Sequence, residues 1–206
     1  MAEASASARE QHRTTAVVHL RYEVSDHKCG ENLYGTTGDD YLDGSASTCD
    51  ETIMGYRGND VLIGGAGKNI LDGGPGKDTM TGGPGSNTFV FDKASDSTVD
   101  NSDEIKDFKE NRPSADHIDL SGVGGRAQVK LSFIGDAAFT GTPGEVNYHV
   151  IEYWKCGRTG KCRDMYVTLI EADLSGHGQA DFCVQLHGSH VLGKNNFILT
   201  RRSLNA

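Results

Sequence analysis

The sequence predicts an all-β protein: a parallel β-roll of nonapeptide repeats followed by an antiparallel β-sandwich cap. Three observations carry this reading. First, residues 35–90 read in nines: GTTGDDYLD (35–43), a looser GSASTCDETIM (44–54), GYRGNDVLI (55–63), GGAGKNILD (64–72), GGPGKDTMT (73–81) and GGPGSNTFV (82–90). The unit is G-G-x-G-x-D-x-U-x with U apolar. Its glycine-rich half turns too tightly for a helix, and its last three residues suit a short strand with one buried face. Second, the apolar position recurs as Leu42, Ile53, Leu62, Leu71, Met80 and Phe89. No single unit buries that residue alone, so the column forms only in a stacked array. Third, beyond Phe91 the chain alternates apolar and polar residues between Gly-rich turns, and little favours a helix longer than a turn or two.

The N-terminal segment, residues 1–29, is polar. It opens with MAEASASAREQHRTTA, which has no apolar h-region and so no cleaved secretory signal peptide. Its Ala/Ser/Glu tract reads as disordered, and the alternating run Ala16–Val24 as a strand laid on the first coil. Residues 30–96 form the predicted roll, and Gly30–Tyr34 resembles a decayed extra unit that caps the stack. Two units make one coil, so every second unit lies on the same edge. The sixth positions then sort into Asp40, Asp60 and Asp78 on a first edge and Glu51, Asn69 and Asn87 on a second. Counting onward puts Asp96 next on the first edge.

Carboxylates stacked about one strand spacing apart, ~4.8 Å, repel unless a cation lies between them. Oxygen ligands completed by turn carbonyls suit a hard, geometrically tolerant ion, Ca²⁺. Several calcium ions are therefore expected, bound tightly between Asp40 and Asp60 and between Asp60 and Asp78. Between Asn69 and Asn87 the site is expected to be weaker or vacant, because neutral ligands bind less strongly. Asp103 and Asp107 are further candidate metal ligands.

Residues 97–206 form the predicted cap. Segments 129–134, 145–153, 165–171, 182–186 and 196–200 read as its antiparallel strands. The net charge of −9 argues against nucleic acid or an anionic membrane as partner, and no apolar run reaches the ~20 residues of a membrane span. Of the five cysteines, Cys156 and Cys162 enclose GRTGK, a turn-like insert short enough for a disulfide hairpin outside the cell. Free thiols are the default reading, and no C-x-x-C spacing supports zinc.

Taken in order, the later motifs carry a family resemblance. The nonapeptide itself resembles the calcium-binding repeat of RTX proteins. Ser86–Phe91 with Ser95-Asp96-Ser97, Asp103-x-Ile105-x-Asp107-Phe108 and Asp116-x-Ile118-Asp119-Leu120-Ser121 resemble the C-terminal region of serralysin-type metalloproteases. So do Phe139-Thr140-Gly141-x-x-Gly144-Glu145 and Ala172–Phe182 downstream. The resemblance covers about residues 30–200. It implies a calcium-loaded roll and sandwich that follows a catalytic domain and supports export by a type I secretion machine. Asn196-Phe197-Ile198-Leu199 resembles the family's secretion tail, with Asn in place of the acid. No H-E-x-x-H zinc motif occurs, so zinc and peptidase activity are not expected. His187-x-x-His190 lacks the Glu and reads as two surface histidines; Asp173–Gly178 reads by default as a β-turn, with a second calcium site as the alternative. The preferred function is a non-catalytic, secreted calcium-binding module that folds on calcium and supports export. The alternatives are a piece or partner of a serralysin-like zinc protease, and a surface adhesin.

Overall fold

The structure, a computed structural model, describes residues 21–23, 32–111, 113–125, 129–156 and 162–200. The expected disorder of the N-terminal tract lies outside them, as do residues 201–206. Fifteen strands form among the described residues, and the one helical element is a 3-10 turn, Lys194–Asn196.

The repeat folds as its glycines and apolar column dictate. Strands β3 (Tyr41–Asp43), β5 (Val61–Ile63) and β7 (Thr79–Thr81) pair in parallel in one sheet. Strands β2 (Leu33–Tyr34), β4 (Thr52–Met54), β6 (Ile70–Asp72) and β8 (Thr88–Val90) pair in parallel in the other. The middle residue of every three-residue repeat strand is buried. Leu42, Ile53, Leu62, Leu71, Met80 and Phe89 are each at most 1% exposed, so the predicted column is the roll's core. β1 (Arg21–Glu23) pairs with β3, which places a strand from the N-terminal segment on the first coil. Glycine is obligatory where coils approach: a Cβ on Gly76 would collide with the Gly58 carbonyl of the coil before it.

The cap grows out of the roll. β9 (Asp103–Ile105) adds to β7, and β10 (His117–Asp119) adds to β8, both parallel and in the register of the repeat. β15 (Phe197–Ile198) then adds to β10. Ile105, Ile118 and Phe197 thereby extend the apolar column, at 0%, 0% and 7% exposure. β14 (Phe182–His187) joins β9 in parallel, followed by the antiparallel strands β13 (Cys162–Asp173) and β12 (Glu145–Cys156). β11 (Ser132–Gly135) ends that sheet, parallel to β12.

The all-β class, the roll and the cap stand as read from the sequence. The pairing of the cap does not follow the expected all-antiparallel pattern. Among its later strands only β12, β13 and β14 pair antiparallel, because the exposed edges of β7 and β8 template parallel addition. The two sheets of the roll thus run across residue 97 and become the two layers of the cap. Phe182, Val184, Ile170 and Val146 fill the space between those layers, and Phe91 packs edge-on against Phe182 with ring centres 5.3 Å apart.

Candidate metal centre

On the first edge the repeat builds a ladder of carboxylates. From Asp60 onward, each aspartate's Oδ1 accepts the backbone N–H of the aspartate one coil earlier. Asp40 donates to Asp60 at 2.7 Å, Asp60 to Asp78 at 2.7 Å, and Asp78 to Asp103 at 2.8 Å. All four residues are at most 3% exposed. The second oxygen of Asp60, Asp78 and Asp103 is buried and has no hydrogen-bond partner; those of Asp60 and Asp78 lie against Gly55 and Gly73, which open their own units. Oδ1 of Asp40 is likewise unpartnered. A buried carboxylate oxygen without a donor is costly, and the electrostatics register it. Burial, reinforced by the neighbouring aspartates, raises the Asp60, Asp78 and Asp103 carboxyls to about 6, about 7 and about 9.

The second edge solves the same problem differently. Asn69 Nδ2 lies against Gly64 as Asp60 Oδ2 lies against Gly55, while Asn69 Oδ1 is buried without a partner. Asn69 donates its backbone N–H to Asn87 Oδ1 at 3.0 Å, and Asn87 donates to Asp116 Oδ1 at 2.7 Å. The Asn69 amide then donates to three turn carbonyls, Gly65 at 3.0 Å, Gly67 at 3.2 Å and Gly82 at 3.0 Å. The Asn87 amide does the same to Gly83 and Gly85 at 3.0 and 3.2 Å. Lys109 completes this edge, with its ammonium 2.7 Å from the Gly83 carbonyl and 3.0 Å from Asp116 Oδ2. Amide and ammonium hydrogens thus gather the carbonyls here.

The corresponding carbonyls of the first edge have no such donor in Asp60. Those of Tyr56 and Gly58 lie against Gly74 and Gly76 just as those of Gly65 and Gly67 lie against Gly83 and Gly85. Carboxylate oxygens and carbonyls therefore share one turn, an all-oxygen set that fits a hard cation. Among the described residues no three His, Cys, Asp or Glu side chains converge as a metal cluster. Each ion would accordingly draw on two carboxylates of the ladder and on turn carbonyls.

The predicted site residues divide as follows. Asp40, Asp60, Asp78 and Asp103 are brought into one stack. Asp96 is not the next rung, contrary to the count from the repeat. Residues 97–102 bulge outward, held by Ser97, whose Oγ donates to the Cys183 carbonyl and accepts the Asp103 N–H. The chain re-enters the stack at Asp103, 25 residues after Asp78. Asp96 instead accepts the N–H groups of Asp92 and Lys93 in its own turn. Asp107 has both oxygens engaged, one by the Gly82 N–H and one by the Gly83 N–H, each at 2.8 Å. Glu51 is buried at the first turn of the second edge, its carboxylate packed against Gly44.

Sequence reasoning missed Asp116 and Lys109. The motif D-x-I-D at 116–119 held the signal, since its spacing to Ile118 repeats the sixth-to-eighth spacing of the unit. The turn at Asp173 is confirmed: its carboxylate accepts the N–H groups of Gly176, His177 and Gly178 at 2.6, 3.2 and 2.7 Å. The reading of two surface histidines is corrected for His190. It is 9% exposed, with Nδ1 2.8 Å from Glu110 and Nε2 3.0 Å from the His187 carbonyl, so it latches the last loop to the segment that follows β9. Cys156 and Cys162 form a disulfide, and Cys49 is also disulfide-bonded, so free thiols are not the rule here. Cys183 is free and buried, and burial raises its thiol to about 12.

Comparison with known proteins agrees with this architecture. Residues 42–199 match the family described as Peptidase M10 serralysin C terminal, and the chain belongs to that family. Residues 30–48 match the RTX calcium-binding nonapeptide repeat. The protein is thus a serralysin C-terminal domain with calcium-binding RTX repeats. Among solved structures it is similar to the AlgE6R3 subunit of the Azotobacter vinelandii mannuronan C5-epimerase. The identity is 28%, the TM-score 0.53, and 84% of each chain is covered. The AlgE6R2 subunit of the same enzyme is 27% identical with a TM-score of 0.53, over 84% of this chain and 96% of that one. No match is found among curated proteins.

Proposed function

We propose that this chain is a non-catalytic module that folds on binding calcium outside the cell, along one edge of its roll. The observation that carries the reading is the row of buried, unpartnered carboxylate oxygens at Asp40, Asp60, Asp78 and Asp103. Calcium would be held by neighbouring pairs of these carboxylates and by turn carbonyls such as those of Tyr56 and Gly58. When bound, it neutralises the ladder and replaces the missing donors. The chain's own residues supply the rest. The backbone N–H ladder orients each carboxylate, and glycine turns admit the carbonyls. Asn69, Asn87 and Lys109 close the second edge without metal, while Asp107 holds the Gly82–Gly83 turn rather than an ion.

Calcium binds the folded roll and not the open chain, so it stabilises the fold by mass action. Extracellular modules of this kind work at ~10⁻⁴ to 10⁻³ M calcium, far above cytosolic levels, so the roll is open before export and closed after it. Membership of the serralysin C-terminal family supports export by a type I route. The disulfide at Cys156–Cys162 supports an oxidising destination. The two similar solution structures are subunits of a larger enzyme, which supports a module working beside a catalytic partner. A calcium titration followed by far-UV circular dichroism tests the reading. A β signal that rises to saturation in the range above is expected, and a spectrum unchanged by calcium and by chelator overturns it.

A further inference from the structure

Strands β12 and β13 outrun the sheet that carries them. β13 is paired with β14 only over Val167–Ala172, and the last bond across that seam joins Gly188 N–H to the Tyr166 carbonyl. Beyond it, Tyr153–Cys156 and Cys162–Met165 continue as a two-stranded ribbon closed by the Cys156–Cys162 disulfide. Four residue pairs at about 3.4 Å each carry the tip some 14 Å clear of the body.

Alternation along the ribbon puts large side chains on both of its faces. Ile151, Tyr153, Met165 and Val167 share one face, ending in the facing pair Lys155 and Arg163. Trp154 and Tyr166 share the other, beside Asp164 and Glu152. Trp154 is 73% exposed, the most exposed aromatic among the described residues. The charge is equally uneven. The sequence from Lys155 to Arg163 has four bases and no acid, in a chain whose net charge is −9.

We propose that this ribbon docks the module on an anionic lipid surface, with Tyr153, Trp154, Lys155 and Arg163 in the headgroup layer. A protein partner would cover one face, whereas aromatic residues on both faces suit a medium that surrounds the tip. Tryptophan and tyrosine favour the membrane interface because one end of each ring is apolar and the other polar. Lysine and arginine keep their heads at the phosphates while their stems lie along apolar surface. The depth is bounded too. The outer N–H and C=O groups of a two-stranded ribbon are unpaired, so the ribbon remains where water reaches them and does not enter hydrocarbon. The acidic roll does not oppose this contact, since the ribbon's reach exceeds the ~8 Å screening length at physiological salt.

Trp154 is the single tryptophan of the chain, so its emission reports this contact directly. The full chain, with calcium held constant, is mixed with phosphatidylcholine vesicles containing phosphatidylserine and with vesicles of phosphatidylcholine alone. A blue shift and co-sedimentation with the anionic vesicles are expected, both weakened by salt. Lys155→Glu with Arg163→Glu should weaken partitioning by more than tenfold, since each base near such a surface contributes about fivefold. Circular dichroism in calcium should be unchanged for that variant, because both residues lie outside the core. Trp154→Ala should also lose co-sedimentation. The proposal is overturned by an unshifted emission with anionic vesicles, or by undiminished binding of the charge-reversed variant. It is equally overturned if the shift occurs only with a soluble anionic polysaccharide, or only on self-association at high protein concentration.

Discussion

Asp60 has an aspartate above it and another below it in the stack, and it serves both gaps. Removing its carboxylate leaves each neighbour without a partner and, under the proposed function, would leave each ion short of one negative ligand. Asp60→Ala should therefore abolish or weaken calcium-induced folding by at least tenfold in the calcium midpoint. Asn69 acts through its amide, and Asn69→Ala strands three carbonyls, costing about 2 kcal/mol. That loss should be the same with and without calcium. Isothermal titration separates the two, and equal losses of calcium affinity would show the edges to be wrongly assigned. Asn69→Asp with Asn87→Asp carries the converse expectation. It replaces donors by acceptors that face carbonyls, so it should destabilise the metal-free chain and add calcium binding on the second edge. Melting in chelator and in calcium reads both signs, and unchanged stability in chelator would count against the amide's role.

A strand edge rather than a single side chain sets the response to pH. The carboxyls of Asp60, Asp78 and Asp103 are raised by burial to about 6, about 7 and about 9, from ~4 in the open chain. Protonation therefore favours the metal-free fold. Its contribution is complete below pH ~4 and is lost as pH climbs through those three values. In chelator the roll should melt at a lower temperature at pH 8 than at pH 5. With calcium the order should reverse, because the ion needs the ionised ladder. Thermal melts followed by circular dichroism at the two pH values check this, and a metal-free roll more stable at pH 8 would refute it. At the opposite end of the sheet, the disulfide ribbon touches none of the core. Cys156→Ser with Cys162→Ser should leave the calcium-dependent transition within about 0.5 kcal/mol of the parent, as for a surface change.

Over the whole molecule, β9 joins the roll to the cap, since it pairs with β7 on one side and β14 on the other. Its first residue, Asp103, is also the last rung of the first edge. If calcium binds at that rung as proposed, its loss reaches the antiparallel strands through a continuous sheet. Amide hydrogen exchange on chelation should expose β14 and β13 together with β7, in one cooperative step. Cap amides that stay protected while the roll exchanges would show the two to be independent.

What the sequence determined by itself was everything written in a period. The nonapeptide spacing specifies strand, turn and edge, so Leu42 to Phe89 are legible as core and Asp40, Asp60 and Asp78 as one stack. The period also made the contrast between aspartate and asparagine edges visible. Beyond Val90 the period breaks, and only the tertiary structure decides. A bulge at 97–102 shifts the fourth rung from Asp96 to Asp103, and a longer excursion brings Asp116 and Lys109 to the second edge. Counting fails there because a parallel sheet accepts a strand after an excursion of any length, provided the apolar residue falls in the column. The charge at the hairpin tip was hidden for a related reason. A net charge sums over the chain, whereas a surface responds to the few residues that the fold carries outward.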